Sequence, residues 1–589
     1  MTELRVEHNI VIDYARDDLL SDFSKATLKD RYLKEGESPQ DAFARTAHAF
    51  SDSEHMAQRI YDYASKLWFS FSTPVLANSS KNNKGLPISC FLSYVDDSIK
   101  GLNDHTLESR LLSVAGGGVG AHWSDVRGNN VKSGGVIPFL KTQDADVLAY
   151  HQGSTRRGAY AAYMHIRHPD AQEFMSIRKP TGGDSNRKSL NIHHGIVINQ
   201  EFLDAVRHDA DWYFVAPETG KVTGKEKARE LYKTILTTRH QTGEPYIMNE
   251  DVVHALQPVA HKERNLKVYG SNLCAEIMLP TNEERTAVCC LSSLNLEKYD
   301  EWKETFIVAD LVRFLDNVLQ FFIDTADSED YKKAIYSAVQ ERSIGIGAMG
   351  FHSLLQKRGI PFESALAVSI NRTIFRDIKY SASRASERLG TERGVPNDIK
   401  GTMDIERRNT HLLAIAPNAS SSIIVGTSPS IEPYKANAFL QKTASGSFVV
   451  RNKYLQEVLE QYYTDDTSMT LDECWQSILG NNGSVQHLDW LTEWEKDVFK
   501  TAIEINQSWV VQHAVDRQPY VCQSQSVNLF FPPEVEWYYL HKVHWKAMTE
   551  LKSLYYLRTE ATSRAENVSK QITRNVIQTD ESECLACEG

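Results

Sequence analysis

Along the first 75 residues, apolar and charged positions interleave at helical spacing, as in DAFARTAHAFSDSEHMAQRIYDYASKLW, and predict a helical N-terminal region. From residue 76 the texture changes. Short apolar runs (CFLSYV, GGVIPFL, HHGIVIN, CAEIMLP, CCLSSLNL, LLAIAPNASSS) end in Gly, Ser, Asn or Pro clusters and alternate with helical stretches. Strands alternating with helices predict an α/β architecture, and this many predict a barrel or a large open sheet across residues 76–558. Residues 441–525 are richer in charge and helix formers (RNKYLQEVLEQYY, WLTEWEKDVFKTAIEI) and predict a small, mostly helical insertion. Residues 559–589 carry no aromatic residue and little apolar periodicity, the composition of a mobile tail. No internal repeat is present.

Composition narrows the class. The 589 residues are 41% hydrophobic and 24% charged, enough to bury a large core. A net charge of −12, spread along the chain, opposes a broad nucleic-acid or anionic-membrane surface while permitting a local basic pocket for a phosphate. Neither a signal-peptide core nor a run of about 18 apolar residues occurs, so a cytoplasmic enzyme without membrane attachment is expected. Eight cysteines are too few for a disulfide scaffold, and in a reducing compartment they are candidate nucleophiles, ligands or redox groups.

One stretch raises a chemical question. If SNLCAEI (271–277) is a strand, Leu273, Ala275 and Ile277 share one face, and Asn272, Cys274 and Glu276 the other. On pattern alone this is as much an edge strand with a polar face and an inert buried cysteine as a site. Other motifs must decide. GIGAMG (345–350) fits a dinucleotide fingerprint, but the preceding AIYSAVQERS is a charged helical run rather than a strand. Twenty histidines include no H-E-x-x-H pair, so no metal site is assigned. Cys584 and Cys587 form a C-x-x-C pair with no second ligand pair nearby, which favours a dithiol cycling with a disulfide over zinc or an inert tail. Asn418, Ala419, Ser420 and Ser421 follow LLAIAP and read as a strand-to-helix turn that offers N–H groups and hydroxyls to an anion. GGGVG (116–120) is a second place where backbone could closely approach a ligand. Tyr555 and Tyr556, in a late strand, would be one core ring and one rim ring on opposite faces.

Taken together, STPVLAN (72–78), SCFLSYVDDSI (89–99), GGGVG, GGDSNRKSLNIHHG (182–195), SNLCAEIMLPT (271–281), AVCCLSSLNL (287–296), RSIGIG (342–347), APNASSS (416–422), LYYLRT (554–559) and the terminal cysteine pair resemble one family. It is the large, catalytic subunit of class I ribonucleotide reductase, matched in order over residues 60–589. The resemblance implies a ten-stranded α/β barrel of two parallel five-stranded halves. It implies that Cys274 becomes the thiyl radical that takes the 3′-hydrogen of a ribonucleotide. Glu276 would receive the 3′-hydroxyl proton and Asn272 would hold the ribose hydroxyls. Cys90 and Cys289 would be the reducing dithiol, with Cys290 structural on the opposite strand face. Cys584 and Cys587 would be the shuttle, itself reduced by thioredoxin or glutaredoxin. Tyr555 and Tyr556 would pass the radical from a separate small subunit, whose metal cofactor generates it. No cofactor is then bound covalently in this chain.

The resemblance further implies substrate phosphates, as a nucleoside diphosphate, on Thr73, Ser89, Gly116, Gly117 and residues 418–421. It implies a dNTP effector with Mg2+ at Asp97, Ser98 and Arg127, a relay loop at Asp184, Arg187 and Lys188, and a homodimer. Members with overall on/off regulation carry an N-terminal ATP-binding cone. Here Cys90 comes early, and no such domain is expected. Two rivals stay open. An adenosylcobalamin-dependent reductase shares the Cys/Glu chemistry but needs no tyrosine relay. A non-catalytic nucleotide-binding regulator would leave the Asn/Cys/Glu set and the Cys90–Cys289 pair without a purpose.

Overall fold

Each N-terminal α-helix opens on a serine that satisfies an otherwise orphaned backbone N–H. Ser21 caps Asp22–Arg31, Ser38 caps Pro39–Ala49 in a capping box with Asp41, and Ser53 caps Glu54–Ser65. Their apolar stripes, among them Phe43, Ala47, Met56 and Ile60, enter the main core. A bidentate pair from Arg59 to Asp310 (2.7 and 2.8 Å) ties the third of these helices to the long helix Ile307–Thr325. The structure, a computed structural model, describes residues 9–79, 85–150, 158–443, 446–462 and 469–559. Cys584 and Cys587 lie outside the described residues. Among the described residues no helix is long and apolar enough to cross a membrane.

The larger sheet has seven strands. Its middle five, Cys90–Tyr94, Gly118–His122, Tyr160–His165, His193–Ile198 and Tyr246–Asn249, run parallel in chain order. Short antiparallel strands close its edges: Ala287–Cys289 beside Cys90–Tyr94, and Ser553–Leu554 beside Tyr246–Asn249. Period-2 alternation divides each strand between two cores. Tyr160, Ala162, Met164, Ile196 and Ile198 face the helices, while Ala161, Tyr163, Val197, Tyr246 and Met248 line a separate inner cluster. That inner cluster also contains Leu273, Cys274, Ala275, Met278 and Tyr555. A sheet that buries both faces is therefore wrapped on one side by helices and on the other around a loop of its own chain.

The expected first half-sheet of five parallel strands is present. In the second half, regular pairing joins Leu291–Asn295 in parallel to Gly345–Met349, with Phe69–Phe71 antiparallel on the outside. Parallel bridges from Ile346 to Leu413 and from Ile415 to Gln525 continue it through residues 413–415 and 525. GIGAM is itself the buried strand, following helix Lys332–Glu341. Its glycines serve packing: a Cβ on Gly345 would lie 2.2 Å from Leu291 Cδ2, and one on Gly347 would lie 2.9 Å from Ala414 O.

The insertion differs from its expected bounds. It opens with a hairpin, Ala438–Thr443 and Gly446–Arg451, before helices Lys453–Tyr462, Leu471–Gly480 and Glu493–Val498. Leu455, Leu459, Trp475, Ile478, Leu488 and Phe499 form a core of its own. Helix Gln507–Arg517, inside the expected insertion, instead buries Val510, Val511 and Ala514 in the main core. Helix Gln507–Arg517 thus packs on the barrel side.

At the N-terminal end of the second half-sheet, Asp316 is wholly buried. It receives hydrogen bonds from Arg342 (2.7 and 2.9 Å), Arg393 (2.9 Å) and Asn409 (3.2 Å), with Arg408 at 3.4 Å. Burial works against this carboxylate, but Arg342 and Arg408 outweigh it and hold its pKa below the ordinary range. Removing the carboxylate strands buried guanidinium charge, so Asp316→Ala is expected to destabilise the protein by about 3–5 kcal/mol. Urea unfolding checks this. A loss within the roughly 0.5 kcal/mol of a surface change would show that the cluster does not hold the barrel end together.

Candidate active site

SNLCAEI is not a strand. Residues 271–277 form an irregular turn inside the curled sheet, and Ala275 adopts a left-handed φ of +61°. A non-glycine residue there costs on the order of 1–3 kcal/mol and persists only where its surroundings over-determine it. Here they do. Asn272 Oδ1 accepts the backbone N–H groups of Glu276 (3.1 Å) and Ile277 (3.3 Å), closing the turn from within. Tyr163 Oη donates to the Asn272 carbonyl (2.6 Å), and Ser271 Oγ donates to the Ile277 carbonyl (2.7 Å). Ser526 Oγ donates to the Cys274 carbonyl at 2.6 Å, and Ser553 Oγ to that of Ala275 at 2.6 Å. The expected apolar face is split as well: Leu273 and Ala275 lie in the inner cluster, and Ile277 packs with Cys90 and Cys289.

The glycine run 116–120 makes room for this turn. A Cβ on Gly118 would lie 1.9 Å from Leu273 Cδ1, and one on Gly120 would lie 2.1 Å from Ser271 O. Close backbone approach was expected there for a ligand. At Gly118 and Gly120 it serves the chain's own loop.

Asn272 and Glu276 are nevertheless joined, and linked to Cys90, by the turn rather than by alternation. Asn272 Nδ2 donates to Glu276 Oε1 (2.9 Å) and to Cys90 Sγ (3.4 Å). Cys90 and Cys289 are direct partners across an antiparallel pair. Such partners have Cα atoms about 4.5 or 5.5 Å apart, inside the range a disulfide spans. Both are buried free thiols, and burial together with the neighbouring Cys90 pushes the Cys289 thiol well above its ordinary pKa. Cys290 points the other way, its thiol 3.6 Å from the Leu315 carbonyl. Glu276 is wholly buried, and desolvation pushes it up to about 7 against the hydrogen bonds of Asn272 and Ser526. Ser526 Oγ is also 3.2 Å from Glu276 Oε2.

Tyr555 Oη lies 3.7 Å from Cys274 Sγ. The two tyrosine rings are not on opposite faces. The strand breaks between Ser553–Leu554 and Leu557–Arg558, which pair in different sheets, and the rings meet with centroids 4.3 Å apart. Tyr555 is buried and Tyr556 half-buried, the expected core and rim. Tyr246 packs on both, and Tyr556 Oη continues to His193 Nδ1 at 3.1 Å.

Of the expected phosphate residues, Thr73 and residues 418–421 lie at two helix starts, while Ser89 precedes strand Cys90–Tyr94 and Gly116–Gly117 follow helix Ile99–Val114. Thr73–Ala77 and Ala419–Val425 both begin without a side-chain cap, leaving their first N–H groups available. Asn418, at φ +56°, donates from Nδ2 to Ser293 Oγ (2.8 Å), which places the second turn against the second half-sheet. The hydroxyls of Ser72, Ser89 and Ser292 are buried with no hydrogen-bond partner among the described residues. Thr73 meets Tyr32 (3.0 Å), and Arg31 donates to Ser420 Oγ (3.0 Å). Gly116 has the left-handed φ of +99°, and a Cβ on Gly117 would strike the Phe91 ring. Arg31, Ser72, Ser526 and Tyr163 were not identified from sequence. Only the serine N-cap pattern at Ser72-Thr73-Pro74 carried a local signal.

The expected effector residues are on the surface. Arg127 binds Asp97 through Nε (2.9 Å) and its backbone N–H (3.1 Å), and Ser98 caps helix Ile99–Val114. Asp184 caps its own short turn, and Arg187 pairs with Glu173 (2.6 Å). Among the described residues no hydrogen bond joins that loop to Asp97, Ser98 or Arg127.

Two family models match: the ribonucleotide reductase all-alpha domain over residues 18–84, and the ribonucleotide reductase barrel domain over 88–403 and 404–557. The chain belongs to the ribonucleotide reductase large-subunit family. A ribonucleoside-diphosphate reductase large subunit of Invertebrate iridescent virus 3 is 42% identical over 640 residues, covering 98% of this chain and all of the relative. A chain of Frog virus 3 (isolate Goorha) is 49% identical over 539 residues, covering 91% and 93%. Among solved structures, the Actinobacillus ureae class Id ribonucleotide reductase alpha subunit is similar, with a TM-score of 0.81, 34% identity, and coverage of 94% of this chain and 98% of that one.

In this reductase-family chain the Cys274 turn depends on the missing side chain at residue 120. Gly120→Ala is expected to overpack against the Ser271–Asn272 backbone and cost about 1–3 kcal/mol. It should also make buried thiols reactive to a thiol reagent under native conditions, beyond those that react in the wild type. Thermal unfolding and native thiol titration check both. An unchanged titration would show that the turn is not held by this contact.

Proposed function

We propose that this chain is the catalytic subunit of a ribonucleoside-diphosphate reductase that removes the 2′-hydroxyl by thiyl-radical chemistry. One observation carries the reading: Asn272 joins Glu276 to Cys90 while Tyr555 reaches the Cys274 sulfur, so acid–base, dithiol and radical groups meet at one turn. The metal cofactor of a separate small subunit supplies the oxidising equivalent. Tyr556 and Tyr555 relay it, and the Cys274 S–H gives its hydrogen atom to the Tyr555 oxygen, leaving the thiyl.

Cys274 then takes the 3′-hydrogen of the substrate, and Glu276 accepts the 3′-hydroxyl proton. The 2′-oxygen leaves as water. Its proton comes from the dithiol, which burial keeps in the thiol form at Cys289. Cys90 and Cys289 supply two electrons, deliver their second hydrogen to the 2′-carbon and close a disulfide, Glu276 returns its proton to the 3′-oxygen, and Cys274 returns its hydrogen to the 3′-carbon. The net change is ribonucleotide plus two thiols to deoxyribonucleotide, disulfide and water. Cys584 and Cys587 reopen the disulfide by exchange and are reduced in turn by a thioredoxin or glutaredoxin. Phosphates sit on the starts of helices Thr73–Ala77 and Ala419–Val425 with the Ser89 hydroxyl and the Gly116–Gly117 backbone. A dNTP with Mg2+ binds at Asp97, Ser98 and Arg127 and acts through the 184–188 loop, in a homodimer. The Tyr555–Tyr556 stack favours this reading over the adenosylcobalamin class, which has no use for it.

Reduction of CDP, with a candidate small subunit and dithiol present, tests the proposal. Tyr555→Phe and Cys274→Ser should each abolish steady-state turnover while nucleotide binding by equilibrium dialysis is unchanged. Activity with adenosylcobalamin and no partner, or turnover by Cys274→Ser, would overturn it.

The Glu276 carboxyl, pushed up to about 7 by burial, also makes a pH prediction. Its proton-accepting form fills as pH rises, so turnover should climb through about pH 7 and level off above it. Glu276→Gln should lose that limb and fall by about 10²–10⁴-fold. A wild-type profile flat from pH 6 to 8 would exclude Glu276 as the base.

A further inference from the structure

Residues 413 and 415, which bridge the second half-sheet, lie between His411 and the Asn418 turn, so His411 stands on their N-terminal side, away from that turn. Two other side chains meet it there. Glu341 ends helix Lys332–Glu341 just before strand Gly345–Met349, and His261 belongs to the short helix Val259–Glu263, before the Cys274 turn. All three are buried, at 2% relative exposure or less. One donor atom from each lies within 4.8 Å of the other two, and the two imidazole rings are 5.1 Å apart. Among the described residues neither His261 ring nitrogen has a hydrogen-bond partner, although the side chain is wholly buried. A buried imidazole with no hydrogen bond to either nitrogen demands an explanation, and an ion is one of the few that satisfies it.

We propose that His261, Glu341 and His411 bind a divalent transition-metal ion of the zinc type, which clamps the N-terminal end of the barrel. Two neutral imidazoles and a carboxylate form a donor set that zinc accepts, with a fourth position left for water. Two donors on one zinc, each about 2.0–2.1 Å away, stand about 3.4 Å apart in tetrahedral geometry. The widest pair therefore has to close by at most about 1.4 Å, the scale of side-chain adjustment.

Second contacts already orient the ligands. Ser343 Oγ donates to Glu341 Oε2 (2.8 Å) and stands 3.0 Å from His411 Nδ1, while Ser337 Oγ donates to Glu341 Oε1 (2.8 Å). A serine that donates to the carboxylate accepts from Nδ1–H, which leaves His411 Nε2 with its lone pair free for a metal. The Arg285 and Arg407 charges stand near His261. The same arginines oppose a cation. Arg285, however, is matched by a bidentate pair with Asp398 (2.7 and 2.7 Å), whose Oδ2 is 3.8 Å from His261 Nε2.

The test uses full-length protein carrying Cys584→Ser and Cys587→Ser, so that the tail thiols cannot hold zinc. Metal content is measured by mass spectrometry after purification and after incubation with Zn2+ and desalting. About one zinc per chain is expected. It should vanish in His261→Gln and in Glu341→Gln. EDTA should lower the melting temperature of the protein with the native triad and leave both variants unmoved. X-ray absorption on the zinc-loaded protein should give a shell of nitrogen and oxygen without sulfur, which separates this site from the remaining cysteines even if a variant fails to fold. Less than about 0.1 zinc per chain after loading, sulfur in the shell, or zinc retained by a folded His261→Gln protein would each overturn the proposal.

Discussion

The Asn272 carboxamide accepts two backbone N–H groups from the turn it begins and directs its own N–H groups at Glu276 and Cys90. A single side chain thus closes the loop, holds Ala275 in a left-handed conformation and sets the spacing between a carboxylate and a dithiol. An aspartate of similar shape could close the turn but could not donate to Glu276. It would set a second carboxylate against a buried one, with a repulsion water could not screen. The rest of the site follows from that constraint. Gly118 and Gly120 clear the path of the loop, and Tyr163 and Ser526 hold its carbonyls.

Burial turns this geometry into chemistry. A carboxyl group wholly removed from water resists ionisation, and one held near neutrality can take and return a proton in the same cycle. The same desolvation keeps the Cys289 thiol protonated. A parallel sheet with both faces covered is one of the few architectures that offers so dry an interior. The helices that cover it are locked by buried ion clusters, such as the one around Asp316. Stability and reactivity therefore share one physical origin, the exclusion of water from both faces of the sheet.

Much was legible from residue order alone, for reasons that can be named. Helical periodicity showed the N-terminal helices, because an amphipathic stripe must appear in sequence at the period of the helix. Short apolar runs between turn residues showed some of the parallel strands, Cys90–Tyr94, His193–Ile198 and Leu291–Asn295, because a strand buried on both faces reads as a continuous apolar segment, whereas the run GGVIPFL opens helix Ile137–Ala149. The divergence of Cys289 and Cys290 follows from period-2 geometry, whereas the five-stranded first half was implied by the family resemblance. The same rule failed at SNLCAEI and at the tyrosine pair. Bonds from distant residues (Tyr163, Ser526, Ser553) bend the backbone at the first, and a switch between sheets bends it at the second. No local signal marks either event. The hairpin at 438–451 and the early end of the insertion were missed because charge and helix-former content do not report which core a helix joins.

The sequence by itself determined the class of fold and the set of reactive residue types, since periodicity and side-chain chemistry are properties of the chain read one residue after another. Tertiary structure alone decided which groups meet. Asn272 reaches Cys90 across 182 positions, Tyr555 reaches Cys274 across 281, and Arg31 reaches Ser420 across 389. His261, Glu341 and His411 converge from three segments with no motif between them. Such meetings depend on how a sheet curls and where a loop can enter it, and those are set by the summed packing of the whole core, to which each of these residues contributes little.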